Sequence, residues 1–248
     1  MTRAARLLAL LARRSAGTTA AEAAGELDLT VPTTHHLLNT LAAEGLAVKD
    51  SRRRFALGPQ VAVLAAGFVS QAVPEYLARP LRALAERTGE TAYLATWDDG
   101  EIRVLASVEG VGAVRVAEVE RGPYRAAHAR ATGKLLLAFA RPEVRAAYLA
   151  RHPPEPVTRR TIAGPAELEA ELAGIRERGV SEDREEFLEG VACVSAPLLV
   201  DGVVAAAFTV SAPAQHYDRR RAELREAVLA AAAAAADPSA DHGLRRSA

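Results

Sequence analysis

The chain has 248 residues, half of them hydrophobic and a quarter charged. These values exclude a disordered or collagen-like polymer and leave room for one large domain or two modest ones. The 31 basic and 31 acidic residues cancel to zero net charge, and the lone Cys193 excludes a disulfide framework. The 56 alanines and the preference for Arg (29) over Lys (2) are a compositional bias without mechanistic content. No Cys/His spacing suits structural zinc, so no metal and no cofactor is expected. The apolar runs Val61–Val69 and Ala227–Ala236 are too short to span a bilayer. The run Leu7–Ala12, flanked by Arg3, Arg6, Arg13 and Arg14, is too short for a secretion signal, so a cytoplasmic location is expected.

Three apolar patterns at helical spacing open the chain: Ala4/Leu7/Leu8/Leu11, Ala20/Ala23/Ala24/Leu27 and Thr34/Leu37/Leu38/Leu41. Thr18 or Thr19 can cap the second helix and Thr30 the third, with Pro32 tolerated in the third helix's first turn. Only Asp28 to Val31 separate the second helix from the third, so the two must cross steeply, as in a helix-turn-helix. Glu44-Gly45 stops the third helix. Leu46–Val48 and Phe55–Leu57 then bracket the turn Asp50-Ser51-Arg52, predicting a two-stranded wing tipped by Arg52, Arg53 and Arg54. Residues 1–57 carry eight basic against five acidic side chains, and that excess fits a small polyanion-binding unit on a slightly acidic body.

Residues 58–73 read as a linker helix with Val61/Leu64/Ala65/Phe68 on one face; an ordinary core helix is the alternative. After Pro74 a further helix places Leu77, Leu81 and Leu84 inward and stops at Gly89. From residue 90 strands and helices mix. Asp99-Gly100 and Asp201-Gly202 lie between β-rich runs, Thr91–Trp97 with Ile102–Val108 and Val191–Val200 with Val203–Ser211, and predict two hairpins. Val114–Val119 makes another strand, and helices are expected over 132–149, 165–178 and 217–236. The sum is an α+β protein: a winged helix-turn-helix over 1–57, the linker helix 58–73, an antiparallel sheet with packed helices over 74–236, and a frayed tail 237–248.

Three segments together resemble the IclR family of bacterial transcriptional regulators. They are the winged unit with Thr33-Thr34-His35-His36-Leu37-Leu38-Asn39-Thr40-Leu41, the helix opening Ala127-His128-Ala129-Arg130-Ala131-Thr132-Gly133-Lys134, and Glu185 through Pro197 with Cys193 at its centre. The resemblance implies a winged helix, a linker helix used in dimerisation, and a GAF/PAS-like ligand-sensing domain. It also implies homodimers, or pairs of them as tetramers, on palindromic double-stranded operator DNA. The family tends to carry Lys and Ser near the start of the recognition helix and Arg just before the Leu-Leu pair. Here these positions are Val31, Pro32 and His36, which shifts the expected affinity onto the wing arginines. Arg130 and Thr132 stand where small residues are more usual.

The polar face of the third helix, Thr33, His35, His36, Asn39 and Thr40, is the expected base-reading surface, with Arg52, Arg53 and Arg54 on phosphates or in a minor groove. A merely solvated face is the alternative. Thr132-Gly133-Lys134 lacks the full phosphate-loop pattern, but a helix start there offers N–H groups to an anion. The expected effector, a small carboxylic acid, would meet Arg130, Ala131, Thr132, Thr209 and Ser211. Val114, Ala117 and Cys193 would form its walls, and the resemblance places Asp183 at the border. Asp183 opposes an anion unless it pairs with Arg130 or a ligand hydroxyl. Glu185 and Glu189 read as solvated. The leading expectation is a ligand-responsive regulator of a catabolic or metabolic operon, repressor or activator, and not an enzyme. Two other classes stay open. One is an interaction protein that has lost operator binding; the other is an enzyme on a GAF-like scaffold using Cys193 with His128, although a Cys in an apolar strand is more often inert.

Overall fold

The computed structural model describes residues 2–111 and 124–236. The expected strand Val114–Val119, and with it Val114 and Ala117, lies outside the described residues. The chain divides between Ala72 and Val73 into two compact units, each with its own core.

The first unit runs α1 (Thr2–Arg13), α2 (Ala20–Leu27), α3 (Val31–Ala43), β1 (Ala47–Lys49), β2 (Phe55–Leu57) and α4 (Pro59–Ser70). The leucine stripes converge as their spacing requires: Leu7, Leu10, Leu11, Leu27, Leu38 and Leu41 pack around Phe55. Thr19, rather than Thr18, caps α2. Its hydroxyl accepts from the Glu22 N–H while the Glu22 carboxylate accepts from the Thr19 N–H, a closed capping box. Thr18 exchanges backbone hydrogen bonds with Phe55 and so adds a rung to the wing. Thr30 caps α3, and Asp28, with φ 53°, turns the chain between the two helices. The wing strands are antiparallel, with Lys49 opposite Phe55. Asp50 Oδ1 closes their turn by accepting from the Arg52 and Arg54 N–H groups. Three apolar side chains of α4 are exposed: Val63 at 61%, Leu64 at 58% and Phe68 at 40%.

The second unit is a five-stranded antiparallel sheet in the order β4-β3-β7-β6-β5, with helices on both faces. Its elements are α5 (Glu75–Thr88), β3 (Thr91–Asp98), β4 (Glu101–Val108), a 3-10 turn (Ala127–Ala129), α6 (Ala131–Phe139), α7 (Pro142–Arg151), α8 (Pro165–Arg178), β5 (Ser181–Arg184), β6 (Val191–Val200), β7 (Val203–Pro213) and α9 (Ala214–Ala236). Both Asp-Gly hairpins form, with positive φ at Asp99, Gly100, Asp201 and Gly202. The expected helix 132–149 is two helices. Pro142 cannot donate to a continuing ladder and opens α7 instead. Strand β5, which is not among the expected strands, pairs with β6.

Alternation along β6 and β7 sorts the two faces. Ala192, Val194, Ala196, Phe208, Val210 and Ala212 point to α5 and α9 and form an apolar core with Leu77, Leu81, Tyr217 and Leu224. The opposite face carries Cys193, Ser195, Ala207, Thr209 and Ser211, under α6 and α8. The first face is apolar, and the second joins apolar residues such as Ala95 and Ala207 to the hydroxyls of Ser195, Thr209 and Ser211.

Leu38 is fully buried while Leu37 is only half-buried. Leu38→Ala is expected to cost about 2–5 kcal/mol and Leu37→Ala less, as measured by urea denaturation followed by far-UV circular dichroism.

Candidate functional site

The exposed face of α3 presents His35, His36, Asn39 and Thr40, with Thr33 half-buried beside the cap. Thr33 Oγ1 accepts from Thr30, and Thr40 Oγ1 donates to the His36 carbonyl. Asn39 Nδ2 donates to His35 Nδ1 at 3.2 Å. At the wing tip Arg52 and Arg53 are exposed, and neither makes an ion pair among the described residues. Arg54, grouped with them in the sequence, behaves differently. Its guanidinium donates to the Ala16 and Gly17 carbonyls and to the Glu22 carboxylate, so it ties the wing to the start of α2. A side chain committed to three internal acceptors is a poor candidate for a phosphate contact, and the wing tip carries two available cations rather than three.

The second site is a buried polar cluster between the hydroxyl face of the sheet and the start of α6. Gly133 makes it possible: a Cβ there would stand 2.2 Å from the Ala127 carbonyl oxygen, so only glycine lets the 3-10 turn lie this close. Thr132 is thereby pressed onto β7, its Oγ1 2.7 Å from Thr209 Oγ1, and it donates to Tyr93 OH at 3.2 Å. Thr209 also lies 2.8 Å from Ser195 Oγ. Ser211 Oγ is 3.2 Å from Cys193 Sγ. Both sheet hydroxyls expected to meet a ligand therefore already have protein partners, and Thr209 is a strut for the helix start.

The first turn of α6 has no side-chain cap, which leaves the N–H groups of Ala131, Thr132 and Gly133 at a buried helix start. Arg130, immediately before it, sits between two rings, its Cζ 3.5 Å from the centroid of Phe187 and 4.7 Å from that of Tyr124. Arg130 Nε and Tyr124 OH are buried without hydrogen-bond partners among the described residues. Asp183 lies beside Cys193, across the β5–β6 ladder, and is 2% exposed. Burial pushes its carboxyl up to about 7, although its Oδ1 accepts from the Glu186 N–H at 2.7 Å. Its charged form is thus disfavoured by burial, which lessens the conflict with an anionic ligand. No ion pair joins Asp183 to Arg130 among the described residues.

Sequence reasoning missed Tyr93, Tyr124, Phe187 and Ser195, because their meeting depends on strand order and not on spacing. It also missed the buried pair beneath them. Lys134 Nζ lies 2.6 Å from both carboxylate oxygens of Glu186 and 3.5 Å from Glu171. The structure does not join Cys193 to His128. Burial raises the thiol to about 12, and the imidazole Nε2 donates to the Glu155 carbonyl at 2.8 Å.

Comparison with known proteins gives a consistent result. Residues 67–237 match the family described as "Bacterial transcriptional regulator IclR C-terminal", and residues 1–51 match "IclR helix-turn-helix domain". The HTH-type transcriptional regulator BhcR of Paracoccus denitrificans is 36% identical over 222 residues, covering 88% of this chain and 79% of that protein. The crystal structure of the Agobacterium tumefaciens repressor BlcR, 28% identical, covers 95% of this chain and 94% of its own with a TM-score of 0.54. An IclR homolog from Microbacterium hydrocarbonoxydans, crystallised with 4-hydroxybenzoate, shares the fold at 23% identity and a TM-score of 0.60, covering 88% and 90% of the two chains.

Asp183 holds its proton in the folded chain well above the ordinary value of 3.8. Its contribution to stability therefore falls as pH rises through about 4 to 7, where the folded state binds more protons than the unfolded one. Asp183→Asn keeps an oxygen for the Glu186 N–H and should flatten that decline. Between about pH 5 and pH 8 the parent is expected to lose roughly 2 kcal/mol more than the variant, as read from urea unfolding at the two pH values.

Proposed function

The chain belongs to the IclR family of bacterial transcriptional regulators, and on that premise we propose a division of labour between its two units. The first binds a palindromic operator as part of a symmetric homodimer or tetramer, with α3 in a major groove and the wing against the adjacent backbone. The second receives a small organic acid that governs this binding at a catabolic or metabolic operon. The observation that carries the reading is the pairing, on one small unit, of the exposed Asn39, His36 and Thr40 face with two exposed wing arginines free of ion pairs among the described residues. Base edges need donors and acceptors on a helix; phosphates need cations beside it. The exposed apolar side chains of α4, Val63, Leu64 and Phe68, supply a surface for a second copy.

The acid's carboxylate is placed at the N–H groups of Ala131, Thr132 and Gly133, where the helix end is positive and uncapped. Arg130 Nε and Tyr124 OH, both buried and unpaired among the described residues, offer further donors. Ser211 and Cys193 line the sheet side, and Thr209 supports the helix start from behind. Asp183, whose neutral form burial favours, can donate to a second ligand oxygen, which favours a hydroxylated or aromatic acid over a simple dicarboxylate.

The operator half is tested by fluorescence anisotropy on duplex DNA from upstream of the protein's own gene, across a salt series. Arg52→Ala and Arg53→Ala are each expected to reduce the magnitude of the log–log salt slope by about 0.9. Arg54→Ala should instead lower thermal stability. An Arg52→Ala/Arg53→Ala double variant that binds as the parent does at every salt concentration would overturn the wing assignment. Loss of all salt-dependent binding in the parent would favour a pure interaction protein.

The effector half is tested by thermal shift with a panel of carboxylic acids, including 4-hydroxybenzoate, the compound bound in the crystal structure of the Microbacterium hydrocarbonoxydans homolog. A true effector at 100 times its Kd should add about 2.7 kcal/mol, and both Arg130→Ala and Ser211→Ala should diminish the gain. Stabilisation by amines or neutral sugars, with every acid inert, would overturn the anion reading.

A further inference from the structure

We propose that His35 is a positioning residue: it reads no base itself, but holds the Asn39 carboxamide in the orientation that can read an adenine edge. The proposal rests on α3 being the base-reading helix. His35 and Asn39 are four residues apart and so lie on one face. Asn39 Nδ2 donates to His35 Nδ1 at 3.2 Å. With Nδ1 as acceptor, the neutral ring carries its proton on Nε2. The bond uses one of the two amide N–H groups and fixes which way the carboxamide is turned. What remains is Oδ1 and one N–H, side by side.

That pair is what the major-groove edge of adenine requires. The adenine amino group donates to Oδ1, and the remaining Asn39 N–H donates to N7. An unheld asparagine amide can rotate and present the wrong order of donor and acceptor, and it loses more rotamer freedom on binding. The ring that does the holding is itself held. His35 stands edge-to-face on Phe55, with centroids 6.3 Å apart and an interplanar angle of 86°. Phe55 is 1% exposed, exchanges backbone hydrogen bonds with Thr18, and carries Lys49 Nζ 5.1 Å from its ring. The orientation of Asn39 is thus inherited from the core of the first unit. His36, the next residue, has no such brace among the described residues.

Two substitutions separate packing from positioning. His35→Phe keeps a ring against Phe55 but has no acceptor. His35→Asn loses the ring but keeps an acceptor, since Oδ1 stands as many bonds from the backbone as Nδ1 does. The experiment is selection from a randomised duplex pool followed by sequencing, with parent, Asn39→Ala, His35→Phe and His35→Asn proteins. Far-UV circular dichroism and binding to a non-cognate duplex confirm that each variant is folded. The parent should enrich a half-site with one adenine position preferred by about tenfold or more, a preference that Asn39→Ala removes. His35→Phe should remove the same preference at the same position and leave the others, and His35→Asn should restore it. Three results would overturn the proposal: His35→Phe retaining the adenine preference, losing a preference at a different position, or sharing its loss with His35→Asn. A parent that enriches no sequence would overturn the operator reading as well, so the two failures are told apart.

Discussion

The second unit depends on one close approach. Between the Ala127 carbonyl and the α-carbon of Gly133 there is no room for a side chain, so the 3-10 turn and the first turn of α6 can lie against each other only because residue 133 is glycine. The consequences spread from that point in both directions along the helix. Thr132 is driven onto Thr209 and Tyr93, Lys134 is turned down to Glu186, and Arg130 is left at the helix mouth between two aromatic rings. A methyl group at this position would not merely crowd the turn. It would lift the helix start off the sheet and dissolve the polar cluster that the start creates.

The electrostatics of that cluster are unusual for a core. Lys134 is fully buried, with Glu186 against it and Glu171 a little farther away. Such a pair adds little net stability, because desolvating two ions offsets most of their attraction, yet losing one partner strands the other and is severe. Its use is geometric: it clips the segment after β5 onto α6, and the same segment carries Phe187 to Arg130 and gives the Glu186 N–H to Asp183. Burial raises both Asp183 and Glu186 from their ordinary values. Burial thus works against the charged form of both acid groups, while the Lys134 ammonium beside Glu186 works in the opposite sense there.

In the first unit the organising residue is Phe55. Backbone bonds to Thr18 join it to the start of α2, the leucines of three helices pack on it, and the His35 ring stands perpendicular to its own. Arg54, its neighbour, fastens the same wing strand to Glu22. The exposed face of α3 and the wing are thus not independent modules but two sides of one small core. The exposed face of α3 is one of amide, imidazole and hydroxyl groups, and two exposed arginines stand at the wing tip.

Local grammar determined most of the architecture. Leucine spacing, threonine caps, Asp-Gly turns and proline stops are short-range devices, and each acts through its neighbours in the chain, so the helix-turn-helix, the wing and both long hairpins were legible as written. The same grammar placed the cap of α3 at Thr30. It failed where a residue's role depends on a partner far along the chain. The polar run Ser181–Arg184 gave no sign of a strand because its pairing edge is supplied by β6. Arg54 reads like Arg52 and Arg53 until the fold brings Ala16, Gly17 and Glu22 to it. Tyr93, Ser195 and Thr209 become one ladder only once strand order sets β3, β7 and β6 side by side. Lys134, next to a glycine in an apparent loop motif, became the base of a buried ion pair. Backbone conformation is chosen within a few residues, and the sequence by itself determined it. Which polar group ends in water, and which in a partner's reach, is a matter of long-range contact and desolvation, and only the tertiary structure decided that.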